Sequence, residues 1–214
     1  MLLLYSKISK HSHQNIIDKY LNNFDKDFQK KILSYNRWQD AQLSLLGKVL
    51  LMKIFEEKGI SDREVNNLLY SEFGKPYLKS KSAFFNISHS GEIVICAFSE
   101  ASEIGIDIEH IENISIDDFK NQMTEYEWKN VSDSDNIPVA FYKYWTRKEA
   151  VIKAHGRGLS LPLNSFEIID GETIIDEDHY FTLEIGVADT YSCHLGVKFN
   201  LINISNVTIK EVFM

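Results

Sequence analysis

The first residues whose types and spacing point to chemistry are the acids of Gly105-Ile106-Asp107-Ile108-Glu109. On a strand, alternate side chains share a face, so Asp107 and Glu109 point one way while Ile106 and Ile108 point the other. Two carboxylates side by side repel unless a cation sits between them, and oxygen ligands at this spacing suit a hard ion such as Mg²⁺. An exposed strand face with two solvated acids has the same pattern. A second stretch is Trp145-Thr146-Arg147-Lys148-Glu149-Ala150-Val151-Ile152-Lys153. On a helix Trp145, Glu149 and Lys153 fall on one side. A plain surface ion pair between Glu149 and Lys153 would be worth ~0.5 kcal/mol or less. Here Trp145 and Lys148 crowd the same stretch, and Gly156-Arg157-Gly158 follows, a turn that lets backbone approach a ligand. The third stretch, Asn86-Ile87-Ser88-His89-Ser90-Gly91, gathers hydroxyls and an imidazole that suit phosphate oxygens. Ser88 and His89 face opposite sides of a strand, so they do not form a nucleophile–base pair. A hairpin turn at Gly91 explains the stretch equally well.

These residues need a frame. Apolar residues recur at helical spacing over 40–55, ending at Lys58-Gly59, and a second long helix is expected over 139–154 between Pro138 and Gly156. Met1 to Tyr5 reads as a first strand, 93–98 as a buried strand and 104–111 as the strand bearing the acids. Gly74-Lys75-Pro76 reads as a turn beside a strand. Further strand candidates lie at 165–169, 180–185, 191–199 and 208–213. The polar stretch 99–103 is the expected seam, giving halves at 1–103 and 104–214. Tyr191 to Val197 faintly echoes Glu92 to Ala97, which permits two similar halves. Helix and strand order suits an α+β fold rather than a parallel doubly wound sheet.

The bulk chemistry removes several classes. A formal net charge of -8 argues against general nucleic-acid binding, although Lys26, Lys30 and Lys31, and Lys75, Lys79 and Lys81, form local basic clusters. No apolar run approaches the ~20 residues of a membrane helix, and the apolar start is too short for a signal sequence. Cys96 and Cys193 read as buried thiols, which suits a reducing, cytoplasmic compartment.

Taken in order, Gly74-Lys75-Pro76, Asn86-Ile87-Ser88-His89-Ser90, Gly105-Ile106-Asp107-Ile108-Glu109 and Trp145-Thr146-Arg147-Lys148-Glu149-Ala150 with Lys153 and Gly156 resemble the 4′-phosphopantetheinyl transferases of the surfactin-synthetase-activating type. Leu159-Ser160-Leu161-Pro162-Leu163 also fits. The resemblance implies two similar α+β halves related by a pseudo-twofold, an active site in the cleft between them, and a monomer. It implies transfer of phosphopantetheine from coenzyme A to a serine of an apo acyl or peptidyl carrier protein. Asp107, Glu109 and Glu149 would hold Mg²⁺, with Glu125 a further acid nearby. Lys148 and Lys153 would meet the pyrophosphate, Ser88 and His89 the nucleotide phosphates, Lys75 and Pro76 the adenosine end, and Lys31 the 3′-phosphate. Glu149, or a water it orients, would take the serine proton, and no covalent enzyme intermediate is implied. Phe28 and Leu43 stand where the family often has basic residues; Lys30, Arg37 and Lys48 are the nearby substitutes. The segment 111–135, with Phe119, Met123 and Trp128, is a candidate carrier-docking surface, though for each of these side chains a core position is the simpler reading.

Overall fold

A computed structural model describes residues 1–198 and 207–214. The elements are β1 (Leu2–Lys7), α1 (His13–Tyr20), α2 (Lys26–Leu33), α3 (Trp38–Glu57), β2 (Leu69–Tyr70), β3 (Pro76–Tyr77), β4 (Phe84–Ser90), β5 (Ile93–Ser99), β6 (Ile104–His110), α4 (Glu125–Ser132), α5 (Ile137–His155), β7 (Glu172–Ile175), β8 (Asp178–Glu184), β9 (Tyr191–Lys198) and β10 (Thr208–Glu211). The chain is α+β and divides into two compact units. Among the described residues one comprises 1–70, 76–100 and 207–214, the other 71–75 and 101–198.

In the first unit the sheet order is β10-β1-β5-β4. β1 runs antiparallel to β5 and parallel to β10, with Leu3 opposite Ile209. The last strand thus returns to the first one, which chain order alone does not suggest. α3 supplies a nearly all-apolar contact. Leu46, Val49, Leu50 and Phe55 pack with Phe85, Val94, Cys96 and Phe98 in one buried cluster. Phe55 meets Phe85 and Phe98 edge to face, a favoured aromatic geometry.

In the second unit the order is β6-β9-β8-β7, all antiparallel. α5 starts on Asn136, whose side chain accepts from the Val139 amide, and stops at Gly156, at φ 89°. That left-handed conformation is inexpensive only for glycine. α4 opens with a capping box, Thr124 with Glu127. The segment 111–135 is built around a small core in which Ile116, Met123, Val131 and Phe141 are buried, with Phe119 and Trp128 packed against it.

Most expected elements appear within a residue or two of their expected ends. Phe199, the expected end of one strand, lies outside the described residues. The stretch 165–169 is a correction: it forms no strand, only a short turn at Leu163–Ser165 and one bridge between Ile169 and Glu172. The Leu163 and Phe166 carbonyls go to a lysine side chain rather than to a ladder. Among the described residues no helix is long and apolar enough to cross a membrane.

Candidate active site

The site begins with two glycines. Gly105 on β6 and Gly196 on β9 are paired opposite each other. A Cβ on Gly105 would collide with the Ala150 carbonyl and the Ala154 amide of α5, and one on Gly196 would lie 2.6 Å from the Ala150 carbonyl. Their bare backbone forms a notch into which the helix settles, closer than any side chain would allow. The same face continues through Asp107 and Glu109 on β6 and through His194 and Ser192, their partners on β9.

Lys153, on the last turns of α5, donates to Asp107 Oδ1 at 2.5 Å and to the Ile106 carbonyl at 3.2 Å. Asp107 is 4% exposed. Glu149, one turn earlier, is half-buried. Its carboxyl is raised above the usual range by burial and by the charges of Asp107 and Glu109, against the opposing pull of Lys153. The expected strand face and helix face therefore do come together: Asp107, Glu109, Glu149 and Lys153 form one electrostatic group.

The donor set suits a hard cation in type and charge, because three carboxylates crowd each other and one lysine balances only part of that charge. Among the described residues, however, no group of three or more His, Cys, Asp or Glu side chains is disposed to hold a metal ion. Lys153 occupies an oxygen of Asp107 instead.

Lys148 departs from the sequence-based expectation. It is 1% exposed, and its ammonium donates to Glu127 Oε1 at 2.6 Å, to the Leu163 carbonyl at 2.9 Å and to the Phe166 carbonyl. Each of its three N–H donors has an acceptor within the protein. The acid that answers it is Glu127 and not Glu125, which is exposed. Lys75 is also engaged, with Glu103 at 2.7 Å and the carbonyls of Ala154 and Ile104 at 3.1 and 3.4 Å. It ties the segment 71–75 to the C-terminal turn of α5, where carbonyl dipoles favour a cation.

The remaining expected residues belong to the first unit. Ser88 is buried and His89 exposed on β4, facing opposite ways as alternation requires. Pro76 opens β3, and Lys31 is exposed on α2. Leu43 is part of the core. Of the three possible replacements for the missing basic residues, Lys30 and Arg37 are well exposed beside Asp27 and Asp40. Lys48 differs, lying 4.0 Å from the Phe28 ring centre. Burial, aided by the Lys31 charge, lowers its pKa against the opposing pull of Asp25.

Sequence reasoning missed a buried polar cluster beside the acids. Thr146 Oγ1 donates to the Tyr142 carbonyl at 2.7 Å and lies 2.9 Å from Ser192 Oγ and 2.8 Å from His194 Nδ1. A hydroxyl has one proton, so Thr146 accepts from the other two. Burial, with Arg147 and Lys143 adding to it, pushes the His194 pKa down to about 4, so the ring is neutral near pH 7. The available signal was the alternation Ser192-x-His194-x-Gly196, which matches Gly105-x-Asp107-x-Glu109 position for position.

The chain also resembles known proteins over most of its length. The profile described as the 4′-phosphopantetheinyl transferase superfamily matches residues 103–194, and that described as 4′-phosphopantetheinyl transferase, N-terminal, matches residues 9–101. The chain is 36% identical over 165 residues to the 4′-phosphopantetheinyl transferase Sfp of Bacillus subtilis, covering 74% of this chain and 73% of that protein. It is 34% identical over 176 residues to the 4′-phosphopantetheinyl transferase gsp of Aneurinibacillus migulanus, covering 80% and 72%.

Proposed function

The chain belongs to the 4′-phosphopantetheinyl transferases, and we propose that it works through Asp107, Glu109 and Glu149 as the holders of Mg²⁺, with Lys153 as the pyrophosphate-facing cation. The family's reaction moves phosphopantetheine from coenzyme A to a carrier-protein serine and leaves adenosine 3′,5′-bisphosphate. The observation that carries the site assignment is the meeting of Asp107 and Glu109 on one strand face with Glu149 and Lys153 on α5.

When bound, the cation supplies charge neutralisation at the pyrophosphate and the leaving group. The chain's own residues do the rest. Glu149, whose carboxyl is raised by burial and by its acidic neighbours, or a water it orients, would take the serine proton. Lys153, 28% exposed at its side chain, holds a positive head beside Asp107 that an incoming phosphate oxygen can share. The neutral His194 and the Thr146 and Ser192 hydroxyls hold α5 on the strands and keep water from the floor of the site. Lys48 and Lys31 are the cations offered to the 3′-phosphate, with Lys48 standing in for a basic side chain at Phe28. Ser88, His89, Lys75 and Pro76 remain the family-based assignments for the nucleotide.

We read the enzyme as a cytoplasmic monomer acting on apo acyl or peptidyl carriers. The two buried free thiols support a reducing compartment. The test is mass spectrometry of an apo carrier after incubation with coenzyme A and Mg²⁺. A gain of roughly 340 Da, one phosphopantetheine on serine, is expected. No gain with several apo carriers, or a gain undiminished by chelation, counts against this reading.

A further inference from the structure

Lys148 and Glu149 are consecutive on α5, yet their surroundings differ completely. An ammonium has three N–H donors and no acceptor. Those of Lys148 meet three acceptors: Glu127 Oε1, the Leu163 carbonyl and the Phe166 carbonyl. The Phe166 ring centre lies 4.0 Å away. Glu127, 7% exposed, uses its other oxygen to accept from the Thr124 amide, completing the capping box of α4. One continuous chain of bonds therefore runs from the start of α4 through Glu127 and Lys148 to the turn at 163–166. Successive helical side chains are ~100° apart, so holding Lys148 on one flank of α5 sets the direction in which Glu149 leaves the other.

We propose that Lys148 is a positioning residue that touches no substrate: it clamps α4 and the 163–166 turn onto α5 and so aims Glu149 at the acids of β6. The proposal rests on the transfer reading above only for what Glu149 does. It separates two lysines that motif reading treats alike, leaving Lys153 as the α5 lysine that meets the pyrophosphate.

The wild-type enzyme provides the first test. Brief reductive methylation, with and without saturating coenzyme A, is followed by mass spectrometry of the peptides. Lys148 should stay unmodified in both samples, while Lys153 is methylated in the free enzyme and shielded by coenzyme A. Methylation of Lys148 in the free enzyme, shielded or not, overturns the proposal. Failure of coenzyme A to shield Lys153, together with no modification of carrier, counts against the transfer reading and leaves the Lys148 result standing.

Variants give the second test. Lys148→Met leaves Glu127 charged and buried, so the melting temperature should drop by about 10 °C. Turnover should fall by about tenfold or more, with KM for coenzyme A within about threefold of wild type. Adding Glu127→Gln keeps an acceptor for Thr124 and removes the stranded charge, so it should restore at least half of both losses. If Lys148→Met alone does not fold, the double variant carries the kinetic comparison. A KM raised by about tenfold or more, and not lowered by Glu127→Gln, overturns the proposal.

Discussion

The two units use the same plan, a four-stranded sheet with one long helix against it, and differ in what lies between that helix and its sheet. In the first, α3 brings the glycine: Gly47 sits where an added Cβ would be 3.0 Å from an Ile87 methyl and 3.5 Å from one on Val94. In the second, the strands bring the glycines, Gly105 and Gly196. A helix that carries the glycine still presses on side chains, so its interface is filled by Leu, Val and Phe. Strands that carry them admit the helix backbone itself. The flanking positions on the same face are then free to hold Asp107, Glu109, Ser192 and His194. Removing two side chains from a sheet thus turns a packing surface into a chemical one.

The largest test of this contrast is loss of chemistry. Asp107→Ala or Glu149→Ala should lower transfer to an apo carrier by about 100-fold or more, read by mass spectrometry. The melting temperature of Glu149→Ala should stay within a few degrees of wild type, because burial and the neighbouring acids disfavour the charge of Glu149 in the fold. Activity within tenfold of wild type would show that the polar interface is not the catalytic one.

Next come the glycines. Gly105→Ala pushes a methyl into helix backbone, which cannot yield, and should destabilise by about 3 kcal/mol or more in urea unfolding. Gly47→Ala meets only a side-chain methyl and gains helix propensity of up to ~1 kcal/mol, so its net effect should stay within ~1 kcal/mol. Equal effects at the two sites would break the comparison.

A third test uses pH on the metal-free protein. Arg147 and Lys143 of α5, Glu184 of β8 and Asp107 of β6 surround or adjoin His194. In the unfolded chain this histidine protonates near its ordinary 6.5, whereas in the fold it stays neutral down to about 4. Its contribution is therefore complete above pH 6.5 and is lost as the pH falls toward 4, by up to about 3 kcal/mol. Urea unfolding of wild type minus His194→Gln should isolate that slope, and parallel curves for the two would refute it.

The smallest effect belongs to the surface. The Lys58–Glu100 pair, at 3.3 Å and largely open to water on the acid side, should change stability by less than ~0.5 kcal/mol on Glu100→Gln.

Local physics made much of this protein legible from its residues alone. Period-3.6 apolar spacing located α3, apolar β-forming runs located β5, β6 and β9, and Pro138 with Gly156 bounded α5, because such signals act within a few residues. Two-residue alternation placed Asp107 and Glu109 on one face, and four-residue spacing placed Glu149 above Lys153. Only the tertiary structure decided where each charge went. Lys148 lies buried, away from the open face of α5, because a socket assembled from Glu127, Leu163 and Phe166, distant in the chain, supplies one acceptor for each of its protons. The return of β10 to β1 and the opposition of Gly105 to Gly196 were decided at the same level. Strand pairing and the desolvation of a buried charge depend on partners that chain order does not specify.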